Sequence, residues 1–253
     1  MDHKTFLASL PTDVRETLTA RSNRAGLVHL LGHMAAIAIC SLVILSDNPF
    51  WWLALLPQGI LLVFLFTLLH ETSHKTPFAS DRLNEWVGQL CGVILMIPAT
   101  WFRYFHFAHH RYTQVPSKDP ELEEAKPETA AVYLWHVSGF PVWIGLTKGL
   151  IGLASGSKRD DYVPEAKINS VVKEARVYLA LYALLFLGSL LSGSTILLWL
   201  WFVPMLIGQP FLRGYLLAEH GRCPFVANMF ENTRKCRFTS CRSCTNSLLN
   251  TYR

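Results

Sequence analysis

Residues 69–113 decide the fold and read LHETSHKTPFASDRLNEWVGQLCGVILMIPATWFRYFHFAHHRYT. Two histidine clusters lie within them, His-Glu-Thr-Ser-His at residues 70–74 and His-Phe-Ala-His-His at residues 106–110, each joined to an apolar segment. Residues three or four positions apart lie on the same face of a helix. The spacing therefore predicts that the histidines converge from two short helical pieces.

The residue type of the clusters indicates a metal site. Neutral imidazole is a nitrogen ligand that suits iron, zinc, copper or nickel, whereas calcium and magnesium prefer oxygen ligands. We therefore expect a transition-metal ion or zinc. The candidate ligands are His70, His74, His106, His109 and His110.

The first cluster also fits His-Glu-x-x-His, the signature of zinc metalloproteases. In that interpretation His70 and His74 bind zinc and Glu71 is the general base. An intramembrane hydrolase of this kind needs a third ligand from another span, and the predicted spans hold no acidic residue. It also leaves the second cluster without a role. This alternative stays open, as does a non-catalytic membrane protein with hydrogen-bonded surface histidines.

The composition is typical of an integral membrane protein: 51% of the 253 residues are hydrophobic, 16% are charged, and the mean hydropathy is +0.26. A helix needs about 20 apolar residues to cross a bilayer. Residues 27–45 and 50–69 come close to this length, and residues 177–212 suffice for two spans hinged at residues 192–194. We therefore predict an all-α integral membrane protein with four transmembrane helices in two hairpins.

Two weaker apolar stretches are predicted to be interfacial or re-entrant helices. Residues 86–97 are too few to cross, and residues 133–153 are broken at residues 139–141. The predicted connections at residues 46–49 and 192–194 hold no Lys or Arg, so all 23 basic residues fall on one side. The positive-inside rule makes that side cytoplasmic. We expect both termini and a cap formed by the histidine clusters there.

The net charge of +5 does not require a nucleic acid partner, because a basic surface that faces anionic headgroups explains it. The six cysteines predict no disulfide framework in a reducing cytoplasm. Three of them, Cys236, Cys241 and Cys244, resemble a partial zinc site that lacks a paired fourth ligand. We expect no cleavable signal, since the first 26 residues are polar and the apolar run after them is long enough to stay in the bilayer.

The two clusters resemble the first two histidine boxes of the integral-membrane fatty acid desaturases and of the related hydroxylases and ketolases. His70-x-x-x-His74 and His106-x-x-His109-His110 match these boxes in order and spacing. Residues 76–84, 101–106 and 218–224 are more specifically similar to one desaturase subgroup. The resemblance runs from about residue 24 to residue 234 and divides the chain into an N-terminal cytoplasmic segment, 1–26, a desaturase-like membrane domain, 27–234, and a divergent tail, 235–253.

The resemblance implies a centre of two non-haem iron ions, with dioxygen as the oxidant and a lipid acyl chain as the substrate. It implies electrons from a cytochrome or ferredoxin type of donor, and a location in the endoplasmic reticulum or the bacterial inner membrane. His220 matches a histidine that precedes the family's third box, and so is a sixth candidate ligand. Glu71, Asn84 and Glu219 are candidates for orienting the ligands, and Trp101, Phe102 and Tyr104 for lining an apolar acyl tunnel.

The chain departs from the family pattern after residue 234. The third box, a second His-x-x-His-His, is not in the sequence, and a Cys-, Ser- and Arg-rich tail resembling a truncated or alternative end stands in its place. Six candidate histidines for two ions predict incomplete coordination and weaker metal binding. Whether the chain is an enzyme, either a desaturase or a related hydroxylase, therefore stays open at this point.

Overall fold

The computed structural model describes residues 3–123, 127–220, 223–226 and 233. In these residues every regular element is a helix, which confirms the predicted all-α class. The α-helices are α1 (His3–Ser9), α2 (Thr12–Thr19), α3 (Asn23–Ile44), α4 (Leu55–His74), α5 (Asp81–Leu95), α6 (Ala99–Tyr112), α7 (Ala130–Val137), α8 (Phe140–Ser155), α9 (Glu165–Ser192) and α10 (Val203–His220). Short 3-10 turns lie at Trp51–Ala54 and Pro120–Leu122, and a π-helical turn at Leu198–Phe202 leads into α10.

Helix α4 lies at the centre of the main core, packed against α3, α5 and α10. Its Val63, Leu65 and Leu69 are almost completely buried there. Close packing with α10 requires glycine at the crossing. A Cβ atom on Gly59 would lie 2.2 Å from the carbonyl oxygen of Pro204, and one on Gly208 would lie 2.3 Å from that of Gly59. Small residues let transmembrane helices approach to this distance.

Three helical segments in the described residues are long and apolar enough to cross a membrane: Thr12–Ile44, Trp51–His74 and Glu165–Ser192. They overlap the first three predicted spans to within a residue at their ends. The number rises to 5 if the bent pairs α5 with α6, at 96°, and α7 with α8, at 56°, each form one span. The fourth predicted span is helical, but α10 is not among the three segments. The membrane character is thus supported by length and composition, whereas the four-span count stays a prediction.

The helix breaks that were predicted from glycine and proline are confirmed. Helix α9 ends at Ser192, where Gly193 adopts a positive φ of 62°, and this is the predicted hinge. The break between α7 and α8 falls at Gly139, where a side chain would also collide with Gln209. Each break therefore has a local cause in the sequence.

Apolar side chains remain exposed along the outer helices. In Thr12–Ile44 and in Glu165–Ser192, only 11% of the most apolar 18-residue stretch is buried. Continuous apolar surface on this scale marks a face that contacts lipid or another protein. It is the surface expected of helices that lie in a bilayer.

Two turns bring the second histidine cluster back to the first. Helix α4 ends at His74 and is followed by the C-cap residue Lys75, whose φ is +59°. Ser80 then caps α5 by accepting a hydrogen bond from the backbone N–H of Leu83. Helix α5 ends at Leu95 and is followed by the C-cap residue Met96, whose φ is +61°. The Thr100 N–H at the start of α6 donates to the Glu174 carboxylate of α9, 3.0 Å away. Helices α5 and α6 meet at a bend of 96°, which directs α6 towards the end of α4.

Candidate metal centre

Four histidines converge where α4 and α6 meet. The group consists of His70, His74, His106 and His110, and one ligand atom from each lies within 4.8 Å of the others. The Nε2 atom of His74 is 2.7 Å from that of His106 and 3.2 Å from that of His110, while the Nε2 atoms of His106 and His110 are 2.9 Å apart. The His70 ring centroid lies 4.0 Å from that of His106.

These separations fit donors to one metal ion. Imidazole nitrogens bind a zinc-sized ion at about 2.1 Å, so two of them lie about 3.0 Å apart at a right angle and about 3.4 Å apart in a tetrahedron. The observed separations of 2.7, 2.9 and 3.2 Å are close to the right-angled value. The residues therefore suit a transition ion or zinc.

The cluster is closed on one side and open on the other. His106 is buried and stacks on the buried ring of Phe102, with ring centroids 5.4 Å apart and planes 9° from parallel. His110 is exposed, and His74 is at most partly buried. The Phe102 ring therefore covers one face of the buried His106 ring, while His110 lies at the surface.

His109, the fifth predicted ligand, is not a member of the four-residue group. Its ring centroid lies 5.7 Å from that of His110 and 6.3 Å from that of His106. Its Nδ1 atom is 2.9 Å from Oδ1 of Asp119. The structure thus brings together four of the five histidines, and the fifth flanks them against a carboxylate.

The loop after α6 holds a buried carboxylate. Its acidic and proline-containing sequence over residues 117–128 is typical of a solvated surface turn, yet Asp119 is only 2% exposed. Its Oδ1 accepts hydrogen bonds from His109 and from the Glu121 backbone N–H, and its Oδ2 accepts one from the Gln114 backbone N–H at 2.8 Å. Burial alone would raise the pKa of Asp119, but these hydrogen bonds hold it below its ordinary value.

The sequence signal at Asp119 does not reveal this contact. An Asp before a Pro is typical of the residue that caps a short helix, and the 3-10 turn Pro120–Leu122 does begin there. Nothing in that pattern points to a histidine ten residues earlier. Only the path of the loop brings the two side chains together.

The three residues expected to orient the ligands differ in position. Glu71 Oε1 is 4.0 Å from His70 Nε2, and the other oxygen of Glu71 accepts a hydrogen bond from Thr76. Glu219 is near enough for its charge to act on the imidazoles of His70 and His109. Asn84 is buried, and its amide donates to the carbonyl oxygens of Phe78 and Ser80, which fixes the loop between α4 and α5.

Of the three aromatic residues expected to line an acyl tunnel, Phe102 lies against the cluster and Trp101 does not. The Trp101 indole donates to Asp160 at 2.7 Å, and Lys158 lies 4.9 Å from its ring centroid. Trp101 therefore anchors the loop before α9. Tyr104 is half-buried on α6.

Two predictions lie outside the described residues. Helix α10 ends at His220, but the described part of the structure does not include that side chain, so its role as a ligand stays a prediction. The cysteines at positions 236, 241 and 244 are also outside it.

The fold and the site define an all-helical protein with membrane-length helices and a histidine cluster able to hold a metal ion. The family model named fatty acid desaturase matches residues 46–251. The chain therefore belongs to the fatty acid desaturase family, as its histidine boxes predicted.

Similar proteins carry desaturase names. The chain is 29% identical over 128 residues to an omega-3 fatty acid desaturase of the endoplasmic reticulum from Vigna radiata, a match covering 50% of this chain and 32% of that protein. It is 31% identical over 101 residues to fatty acid desaturase 3 of Bos taurus, covering 38% and 23%. It is 34% identical over 65 residues to an sn-1 acyl-lipid omega-3 desaturase (ferredoxin) of Synechocystis, covering 26% and 17%. The matched stretches thus span less than a third of each relative.

Proposed function

We propose that the protein is a membrane-bound, oxygen-dependent desaturase of lipid acyl chains that belongs to the non-haem diiron class. The observation that carries the proposal is the convergence of four imidazoles from two histidine boxes at the end of membrane-length helices. Membership of the desaturase family supports the choice of iron over zinc. A zinc hydrolase would complete the coordination by His70 and His74 with a carboxylate and a water molecule. His106 and His110 lie beside those two histidines instead. The zinc hydrolase alternative therefore has no comparable support.

We assign the first ion to the four-histidine group and a second ion to a site that includes His109 and His220. Bound iron supplies, with dioxygen, an oxidant strong enough to break an unactivated carbon–hydrogen bond, which side chains cannot do. The chain's own residues bind the ions, orient the imidazoles and keep water from the buried side of His106. Phe102 performs that last task through its stacked ring.

The proposal includes an orientation in the membrane. The four spans would form two hairpins, with both termini and the histidine cap on the cytoplasmic side of the endoplasmic reticulum or the bacterial inner membrane. Its support is the placement of the cluster at the end of α4 and the absence of Lys and Arg from the opposite connections. We propose a cytochrome or ferredoxin type of electron donor; the name of the Synechocystis relative mentions ferredoxin.

We also propose that these 253 residues do not complete a two-iron centre by themselves. They contain two of the family's three boxes and His220, so the second ion lacks ligands that a third box would supply. Removing metal ligands weakens binding steeply. We expect the four-histidine group to hold one ion and acyl-chain desaturation to require additional ligands.

Acyl-chain analysis tests this function. The chain is expressed in a host membrane, and new double bonds in the lipids are measured by gas chromatography with mass spectrometry, with and without oxygen. We expect no new double bonds from the 253 residues alone. We expect them when residues 235–253 are replaced by a helical segment that carries His-x-x-His-His, and only in the presence of oxygen.

Two variants control that experiment. In the extended chain His74→Ala should abolish the new double bonds, whereas His29→Ala, an exposed histidine of α3 outside the cluster, should not. An extended chain that binds two iron ions but produces no oxygen-dependent change in the lipids would contradict the proposed function.

A further inference from the structure

The contact between His109 and Asp119 joins a box histidine to a carboxylate that the sequence did not single out. His109 Nδ1 lies 2.9 Å from Asp119 Oδ1, and both side chains are almost fully buried, with 7% and 0% of their surfaces exposed. A buried carboxylate that has a histidine as its side-chain partner influences that ring strongly, because little water screens the pair.

We propose that Asp119 is a positioning residue: it holds His109 in the tautomer that carries its proton on Nδ1 and so presents Nε2 as the metal-binding atom. This inference rests on the proposed function, in which His109 binds the second ion. A neutral imidazole has one N–H and one lone pair. Since Asp119 accepts the hydrogen bond at Nδ1, the lone pair is on Nε2. Histidines that bind metals commonly donate their other N–H to a carboxylate in this way.

The loop fixes Asp119 in its place. The chain turns back after α6 through two non-glycine residues with positive φ, Gln114 at 61° and Ser117 at 64°. The Asp119 N–H donates to the Val115 carbonyl at 3.0 Å, and the Thr113 hydroxyl donates to the carbonyl of His109 at 2.8 Å. Left-handed backbone at such residues persists only where the surroundings enforce it. The carboxylate is therefore held against His109 by its own backbone.

In the described structure, the Asp119 carboxylate is the acceptor in each of its hydrogen bonds. Its partners are the His109 ring and the backbone N–H groups of Gln114 and Glu121. An asparagine has the same shape but only one accepting oxygen. If that oxygen takes the place of Oδ1, it still accepts from His109 Nδ1 and from the Glu121 N–H, and only the Gln114 N–H loses its acceptor. A leucine of similar size has no acceptor at all, so Asp119→Leu removes the hydrogen bond that holds the ring.

Glu121 provides the matched control. Its Oε2 atom is 3.6 Å from the same His109 Nδ1, which is beyond hydrogen-bond distance, and its side chain is 41% exposed. Replacing it removes a neighbouring negative charge and leaves the contact with Asp119 intact. Glu121→Gln thus separates the effect of charge from that of the hydrogen bond.

The first test reads the tautomer in the metal-free protein, so it does not depend on iron binding. Nitrogen-15 NMR of histidine-labelled protein in detergent, at about pH 9, where imidazole is neutral, distinguishes a protonated from a bare ring nitrogen. His109→Gln identifies the signal. We expect Nδ1 protonated in the wild type and in Glu121→Gln, and a loss of that preference in Asp119→Leu. A wild-type His109 protonated on Nε2 would overturn the inference.

The second test measures the iron affinity of Asp119→Leu with His109 intact and with His109→Ala. Loss of a carboxylate that orients a ligand lowers metal affinity by about 10- to 100-fold. We expect that loss for the second ion in the extended chain carrying His-x-x-His-His, and no further loss in the His109→Ala background. An equal loss in both backgrounds would mean that Asp119 only shapes the loop.

The two proposals fail in distinguishable ways. If the wild-type chain and its extended form bind no iron, the proposed function fails, while the NMR experiment still decides the tautomer of His109. If iron binds normally and Asp119→Leu changes neither the tautomer nor the affinity, the inference about Asp119 fails alone.

Discussion

The Nε2 atoms of His74 and His106 lie 2.7 Å apart although the two residues are 32 positions apart in the chain. Without a metal ion this contact requires the N–H of one ring to donate a hydrogen bond to the bare nitrogen of the other. A shared cation would attract both lone pairs and would allow His110, 2.9 Å from His106, to join them. The arrangement is therefore one that metal binding stabilises.

Iron should raise the thermal stability of the protein through this group. A ligand that binds only the folded state at about one hundred times its Kd adds about 2.7 kcal/mol to the free energy of unfolding. We expect this gain for the wild type and for His29→Ala, and no gain for His106→Ala. The measurement is the melting temperature in detergent with and without Fe²⁺. If His106→Ala gained as much as the wild type, iron would bind elsewhere, and if neither gained, the protein would be one that folds without metal.

The crossing of α4 and α10 should not tolerate a side chain at Gly208. A Cβ there would lie 2.3 Å from the carbonyl oxygen of Gly59, so the helices must separate. We expect Gly208→Ala to lower the free energy of unfolding by about 1–3 kcal/mol, the usual cost of overpacking. Thermal unfolding followed by tryptophan fluorescence measures it.

Gly188 is the matched control, since a Cβ on this residue of α9 meets no atom within 4 Å. Gly188→Ala should leave stability unchanged or increase it by up to about 1 kcal/mol, because alanine favours a helix. Equal destabilisation by both substitutions would contradict the close packing of α4 against α10.

Glu174 should control the position of α6 and thus the geometry of the second box. Its carboxylate accepts hydrogen bonds from the Thr100 N–H, the Thr100 hydroxyl and the Gln89 amide. Glu174→Gln turns an NH2 group towards one of these donors, at a cost of about 1.5–3 kcal/mol for a charged hydrogen bond. We expect a lower melting temperature and weaker iron binding, measured on the same preparation.

Glu165→Gln tests whether the effect is specific to the Glu174 carboxylate. Glu165 is an exposed residue in the first turn of α9, the helix that also carries Glu174. Substitutions at such surface sites usually change stability by no more than about 0.5 kcal/mol. If Glu174→Gln had no larger effect than Glu165→Gln, the carboxylate would not hold α6 in place.

The local geometry of the site follows from sequence spacing. His70 and His74 share a helix face, as do His106 and His110, because a helix repeats every 3.6 residues. The hinge at Gly193 was equally predictable, since glycine readily adopts the left-handed backbone that ends a helix. These features depend on residues within one turn of each other.

Features that depend on residues far apart in the chain could not be predicted from sequence spacing. The buried position of Asp119 results from a loop in which Gln114 and Ser117, neither of them glycine, adopt a positive φ. His109, which lies outside the four-histidine group, contacts Asp119 of this loop. Similarly, the support of α6 by Glu174 joins residues 74 positions apart, and only the packed fold brings them together.

The central claim is that the four-histidine group binds iron, and elemental analysis of the purified protein tests it most directly. The protein is expressed with iron and zinc both available, and the moles of each metal per chain are measured for the wild type and for a variant with His70→Ala and His106→Ala. We predict one iron ion per wild-type chain, little zinc, and no bound iron in the variant. A wild-type chain without iron, or a variant that retains as much iron as the wild type, would contradict the account.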